Sequence, residues 1–210
     1  MGHGKVANVK IALIGATGQA GSEILKELVR RGHDVTAIVR NPEKIQAQVN
    51  VAPRKGDVFD QDGLVKLVKG HDAVISSVHF SQSDPRKLID AVKAAGVKRY
   101  LVVGGAGSLE VAPGVTLVST PEFPAQYKDE ATKGGEFLNL LRQEKDLDWT
   151  FLSPSALFFE GPRTGTFRLG KDQLLTNANG SSISFADYAI ALADEIEKPA
   201  HSRQRFTVGY

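Results

Sequence analysis

Apolar and polar positions alternate between two periods along this chain. Ile11-Ala12-Leu13-Ile14 is a short apolar run of strand length. Ile24, Leu25, Leu28 and Val29 then recur at helix period, with Glu23, Lys26, Glu27, Arg30 and Arg31 on the opposite face,. Gly32 ends that helix and Asp34–Val39 reads as a second strand,. Strand and helix go on alternating. Val51–Lys55 is a third strand, and Pro53 in it suggests an edge,. Asp60 heads a helix that turns Leu64, Val65, Leu67 and Val68 inward, and Ala73–Val78 is a buried-type strand,. Asp84-Pro85 opens a helix to Ala95, and Tyr100–Val103 is a fifth strand,.

The second half is less regular. Residues 109–126, with Pro113, Gly114, Pro121 and Pro124, read as a loop over the crevice. A helix is predicted from about Tyr127 to Lys145, and a strand over Trp149–Leu152. A small hairpin is predicted within 167–175,. Ser184-x-x-Asp187 is a variant capping box opening a last helix, and Phe206–Val208 is a last strand,. The alternation predicts an α/β, Rossmann-type doubly wound fold. Its mostly parallel sheet would have six to seven strands. Residues 1–210 would form one domain, with about 156–184 and 200–210 making a small substrate-side lobe.

Composition narrows the function classes. The 26 basic and 24 acidic residues leave a net charge of +2, which gives no electrostatic case for nucleic acid or a membrane surface,. There is no cysteine, so disulfides and thiolate chemistry are excluded,. No apolar run approaches the ~20 residues of a membrane span. Met1–Lys5 has no apolar signal core, and Val6 stands where myristoylation needs Ser or Thr,. The expectation is a cytoplasmic monomer or homodimer. The histidines His3, His33, His71, His79 and His201 show no metal-ligand spacing, so no metal is expected,.

The candidate chemistry lies where the first strand meets the first helix. Gly15-Ala16-Thr17-Gly18-Gln19-Ala20-Gly21 spaces three glycines three apart at a strand-to-helix junction. Such a turn aims backbone N–H groups and a helix N-terminus at a pyrophosphate. The second strand ends in Arg40-Asn41-Pro42, with Lys44 beyond and no carboxylate before it. At that position an acidic residue binds the 2′-hydroxyl of NAD, whereas a guanidinium accommodates the 2′-phosphate of NADP. NADP is therefore expected over NAD. Asp57 either accepts a hydrogen bond from the adenine amino group or serves a turn. The cluster Gly104–Ser108 offers a close backbone approach on the nicotinamide side.

Gly15–Gly21, Val39–Pro42, Gly56-Asp57-Val58, Val103–Leu109 and Asp148-Trp149-Thr150, with 161–165 and 182–189, resemble atypical short-chain dehydrogenases of the NAD(P)-binding type. The nearest likeness is to NADH-flavin reductases related to biliverdin-IXβ reductase and to NmrA-like proteins. The resemblance implies a dinucleotide held by the glycine turn, Arg40 and Asp57-Val58. It further implies ribose and nicotinamide contacts from Ser77-Val78, from Gly104 and Gly105, and from Pro154-Ser155-Ala156.

The departure concerns catalysis. Short-chain dehydrogenases pair a Tyr with a Lys four residues later, which lowers the phenol pKa. Here Ala131 stands four residues after Tyr127, and Lys133 lies roughly 240° round the helix,. Tyr127 alone and Ser108 are the remaining candidates for a proton donor. A missing acid pair suits flavin or quinone acceptors, which accept hydride readily and can draw a proton from water. It equally suits an NmrA-like sensor that binds NADP without turnover. A nucleotide-sugar epimerase fits less well, because it needs the pair.

Overall fold

The computed structural model describes residues 8–210; the readings made on Met1–Val6 lie outside them. The chain runs β1 (Lys10–Ile14), α1 (Gln19–Arg30), β2 (Asp34–Val39), β3 (Val51–Lys55), α2 (Gln61–Val68), β4 (Ala73–Ser76), α3 (Pro85–Ala94) and β5 (Arg99–Val103). It continues with β6 (Glu110–Ala112), β7 (Val115–Thr116), α4 (Lys128–Arg142), β8 (Asp148–Pro154), β9 (Leu157–Phe159), β10 (Arg168–Gly170), β11 (Ser182–Ser184), α5 (Phe185–Glu197) and β12 (Gln204–Gly209).

One sheet holds eight strands in the order β10-β12-β8-β5-β4-β1-β2-β3. All its pairings are parallel except β10 with β12. The fold is the expected α/β Rossmann type. Alternate residues of each strand face opposite sides. In β1, Ile11 and Leu13 join a core with Ile24, Leu28, Tyr188 and Leu192 from α1 and α5. Ala12 and Ile14 join the opposite core, with Leu64, Leu88, Ile89, Phe137 and Leu141 from α2, α3 and α4. Two helices therefore cover one face and three cover the other.

Side-chain caps head α2, α3 and α5, as the sequence predicts. Asp60 accepts a hydrogen bond from Gly63 N–H (3.1 Å), and Asp84 accepts from Arg86 N–H (2.9 Å),. Ser184 Oγ accepts from Asp187 N–H (3.0 Å), but the reciprocal half of the box is not made. The Asp187 carboxylate turns instead to Thr164 and Gly165, accepting from both backbone N–H groups and from Thr164 Oγ1.

Several boundaries differ from the sequence reading. The sheet has eight strands, not six to seven, because Arg168–Gly170 joins it. The predicted hairpin at 167–175 is replaced by that pairing: Leu169 lies opposite Val208, and Gln173 bridges Glu110. The fourth strand stops at Ser76, so Ser77 and Val78 belong to the turn beyond it. The helix predicted from Tyr127 to Lys145 is α4, Lys128–Arg142, preceded by a 3₁₀ turn over Ala125–Tyr127. Within 109–126 the chain forms the β6–β7 hairpin. Of the stretches expected on the substrate side, 204–209 is β12, inside the main sheet beside β8.

Candidate dinucleotide site

Parallel register brings the carboxyl ends of the strands to one edge. Ile14 lies opposite both Ile38 and Ser76, and Val39 lies opposite Lys55. The chain reverses direction across the sheet at β1 and β4, which is where open α/β sheets bind ligands. A cleft of about 240 Å³ opens there. That is below the ~300–1,000 Å³ of a whole-ligand pocket, so it accommodates one part of a dinucleotide.

The glycine turn forms the cleft floor, and its three glycines have different reasons. Gly15 has φ +90°, and a Cβ on it would stand 2.1 Å from Ser77 O,. A Cβ on Gly21 would stand 2.0 Å from Gly15 O. Both are required by the protein's own packing. A Cβ on Gly18 would meet nothing nearer than Gly15 O at 3.8 Å. The protein leaves that space open, and Gly18 faces the cleft.

Gly18 also caps α1, and no side chain caps the helix. The first turn carries no acidic residue, and Gln19, Ala20 and Gly21 N–H have no protein acceptor among the described residues. An uncompensated helix N-terminus beside an open backbone suits a phosphate. Arg40 and Lys44 line the same cleft and are exposed. Neither forms an ion pair among the described residues. The residues present thus fit the phosphates of a nicotinamide dinucleotide.

Of the residues singled out in the sequence, the cleft gathers Gly15, Thr17, Gly18, Arg40, Asn41, Lys44, Val58, Ser77 and Val78. It takes in Val39 and Gly56 as well, from the stretches that carry the family resemblance, together with Ile38, His79 and Gln82. Ile38 could have been foreseen from register, since it lies in the strand that ends before Arg40. His79 and Gln82 depend on how the turn after β4 is folded.

The other expected positions make contacts within the protein. Asp57 Oδ1 accepts from Phe59 N–H (2.8 Å), which makes a turn,. Gly104 N–H donates to Leu152 O (2.9 Å), and the Phe151 ring already fills the space a Cβ would take, 2.3 Å away. Gly105 faces Phe80, 3.7 Å from where its Cβ would be. Pro154 ends β8. Ser155 Oγ donates to Val208 O (2.8 Å), and Ala156 N–H donates to Ser181 Oγ (3.0 Å).

Neither proton-donor candidate lines the cleft. Tyr127 is 59% exposed. Ser108 Oγ accepts from Arg205 Nη1 (2.8 Å), a buried guanidinium that also donates to Ser153 Oγ and to Asp172. The position where a dehydrogenase lysine would stand holds Ala131, half-buried beside the turn after β5. Gly107 in that turn has no room for a side chain, since its Cβ would lie 2.8 Å from that of Ala131. The aromatic and basic residues of the 158–168 stretch serve structure. Phe158 packs on Phe185 and Tyr188 at 4.4 and 4.8 Å between centroids, Arg163 pairs with Glu27, and Arg168 donates to Thr176 O.

Fold and glycine turn together define a dinucleotide-binding protein of the short-chain dehydrogenase type, and comparison with known proteins names the family. Residues 15–199 match the NAD(P)H-binding family, and the chain belongs to it, among the atypical short-chain dehydrogenases. It is 48% identical to YwnB of Bacillus subtilis over 95% of this chain and 98% of that one. A Bacteroides thetaiotaomicron structure, provisionally named an epimerase, is 45% identical with a TM-score of 0.93, covering 97% of this chain and 98% of that one. A Streptococcus pneumoniae structure, provisionally named an NADH-flavin reductase, is 40% identical with a TM-score of 0.81, covering 96% and 99%. Similarity to a eugenol synthase of Clarkia breweri, 41% identical, covers 43% of this chain and a third of the plant enzyme's length. No helix among the described residues is long and apolar enough to cross a membrane.

Proposed function

We propose that this chain is an NADPH-dependent reductase that passes hydride to a flavin, a quinone or a similar conjugated acceptor. One observation carries the reading. The bare first turn of α1 and two cations without an ion pair, Arg40 and Lys44, meet in one cleft that no carboxylate among the described residues lines. The amides suit a diphosphate, and the guanidinium suits a 2′-phosphate that a carboxylate would repel.

Bound NADPH supplies the hydride. The chain's own part is to hold and align, since the tyrosine–lysine pair is absent, with Ala131 standing four residues after Tyr127,. That absence argues against epimerisation, which needs a positioned acid, even though the Bacteroides relative carries that name. The same absence favours a second reading, a coenzyme-binding sensor without turnover. The S. pneumoniae relative's name supports the reductase. Both hold under a single assay design. NADPH and NADH are titrated by calorimetry, then NADPH oxidation is followed with FMN, with menadione and with no acceptor. Acceptor-dependent oxidation supports the reductase, and tight binding without oxidation supports the sensor. No heat with either coenzyme sinks both.

A further inference from the structure

The turn Phe80–Gln82 after β4 is a single 3₁₀ turn that no side chain of its own caps. Its leading N–H groups need an acceptor from elsewhere. Glu130, in the first turn of α4, supplies both. Oε1 accepts from Phe80 N–H at 2.6 Å and Oε2 accepts from Ser81 N–H at 2.8 Å. His79 Nδ1 stands 3.5 Å from Oε1. Beneath, the Phe80 ring is wedged against Phe151 and Phe137, with centroids 6.2 and 5.8 Å away. The turn is thus held at its backbone from one side and at its ring from the other. His79 and Gln82, at its two ends, form a wall of the dinucleotide cleft.

We propose that Glu130 is a positioning residue for the coenzyme: its carboxylate clamps the 79–82 turn in the shape that closes one side of the cleft. This rests on reading the cleft as the coenzyme site. The helix that carries the acid pair in typical short-chain dehydrogenases here carries a clamp. Charge-assisted bonds to backbone N–H groups are among the stronger single contacts. Without them the turn samples other shapes, and apparent affinity falls with the competent fraction.

The test compares Glu130→Gln and Glu130→Ala with Asp129→Asn in the full chain. Asp129 carries the same charge one residue away and, among the described residues, pairs only with Lys133. Amide exchange at Phe80 and Ser81, the NADPH dissociation constant and Tm are measured. Both Glu130 variants should exchange faster and bind NADPH about tenfold more weakly, while Asp129→Asn does neither. Glu130→Gln should be as weak as Glu130→Ala, because its amide NH₂ sets a donor against a donor. A merely structural role would lower Tm and leave the dissociation constant of the folded protein within twofold, which overturns the proposal. So does unchanged exchange, or an equal loss in Asp129→Asn. If the unaltered chain binds no coenzyme, the functional reading falls and takes the clamp with it. If it binds and the Glu130 variants bind equally well, only the clamp falls.

Discussion

Arg163 grips Glu27 with both prongs of its guanidinium, Nε to Oε1 at 2.8 Å and Nη2 to Oε2 at 3.1 Å. Arg31 Nε adds a third contact at 2.8 Å, and the Glu27 carboxylate is only 2% exposed. Burial by itself pushes that carboxyl up. The Arg163 and Arg31 hydrogen bonds and charges outweigh it and hold the group at about 2, against an ordinary 4.5. A folded pKa below the unfolded one contributes stability above pH ~4.5, lost as pH falls towards 2. Glu27→Gln should therefore cost about 2–3 kcal/mol at pH 7. Denaturant melts at falling pH should show the difference from the unaltered chain shrinking between about pH 5 and pH 2. A gap that stays constant over that range would contradict the assignment.

The three glycines of the nucleotide turn should separate into two kinds. Gly15→Ala places a Cβ 2.1 Å from Ser77 O at a φ of +90°, so two penalties act together. It should cost about 4 kcal/mol or more, or prevent folding. Gly18→Ala has open space around it and an ordinary φ of −67°. It should keep Tm within what about 1 kcal/mol produces, yet weaken NADPH binding at least roughly tenfold by obstructing the phosphates. Thermal melts and calorimetry on the same samples check both. Weakened folding with intact binding in Gly18→Ala would reverse the reading.

Arg40→Ala tests the choice of coenzyme. The side chain is exposed and carries no ion pair among the described residues, so its loss should leave stability within about 0.5 kcal/mol,. Affinity for NADPH should fall by about 2 kcal/mol, the scale of a charge-assisted contact. NADH, lacking the 2′-phosphate, should lose little. The gap should narrow as salt rises, because the contact is solvent-screened. Equal losses for the two coenzymes would remove Arg40 from the phosphate.

Local signals explain what was readable in the chain. The βα alternation and the glycine turn are short-range patterns, and a mostly parallel sheet with its crevice at the carboxyl ends of the strands follows from them by crossover rules. Arg40 was readable because it directly follows a strand of known direction. Glu130 was not. Its partners lie 50 and 49 residues away, and nothing in Lys128–Ala131 marks a residue that caps a distant turn. Sequence does not separate the roles open to Asp57 and Gly104, for a related reason. A turn Asp and a ligand Asp look the same in sequence, and a glycine needed to seat the Phe151 ring looks the same as one needed by a coenzyme. The 167–175 stretch reads as a hairpin because its own strand residues are clear. Its actual partner, β12, lies 37 to 41 residues away, opposite Arg168–Gly170.

Two adjacent glycines on α4 should respond to alanine with opposite signs. Both gain about 0.5–1 kcal/mol from helix propensity and a less flexible unfolded chain. At Gly135 the new methyl meets only Ser108 Cβ at 3.9 Å, an ordinary contact, so the gain survives and Gly135→Ala should raise Tm. At Gly134 it lies 2.9 Å from Cε2 and 3.0 Å from Cδ2 of Phe80. That ring cannot swing aside, being wedged against Phe137 and Phe151. Overpacking costs about 1–3 kcal/mol, which exceeds the propensity gain, so Gly134→Ala should lower Tm. Any shift of Phe80 also drags the 79–82 turn, so the Gly134 variant should weaken NADPH binding while the Gly135 variant does not. Paired melts and titrations decide the matter. A stabilised Gly134→Ala would mean the ring has room to move, and the wall it anchors would then be softer than the packing implies.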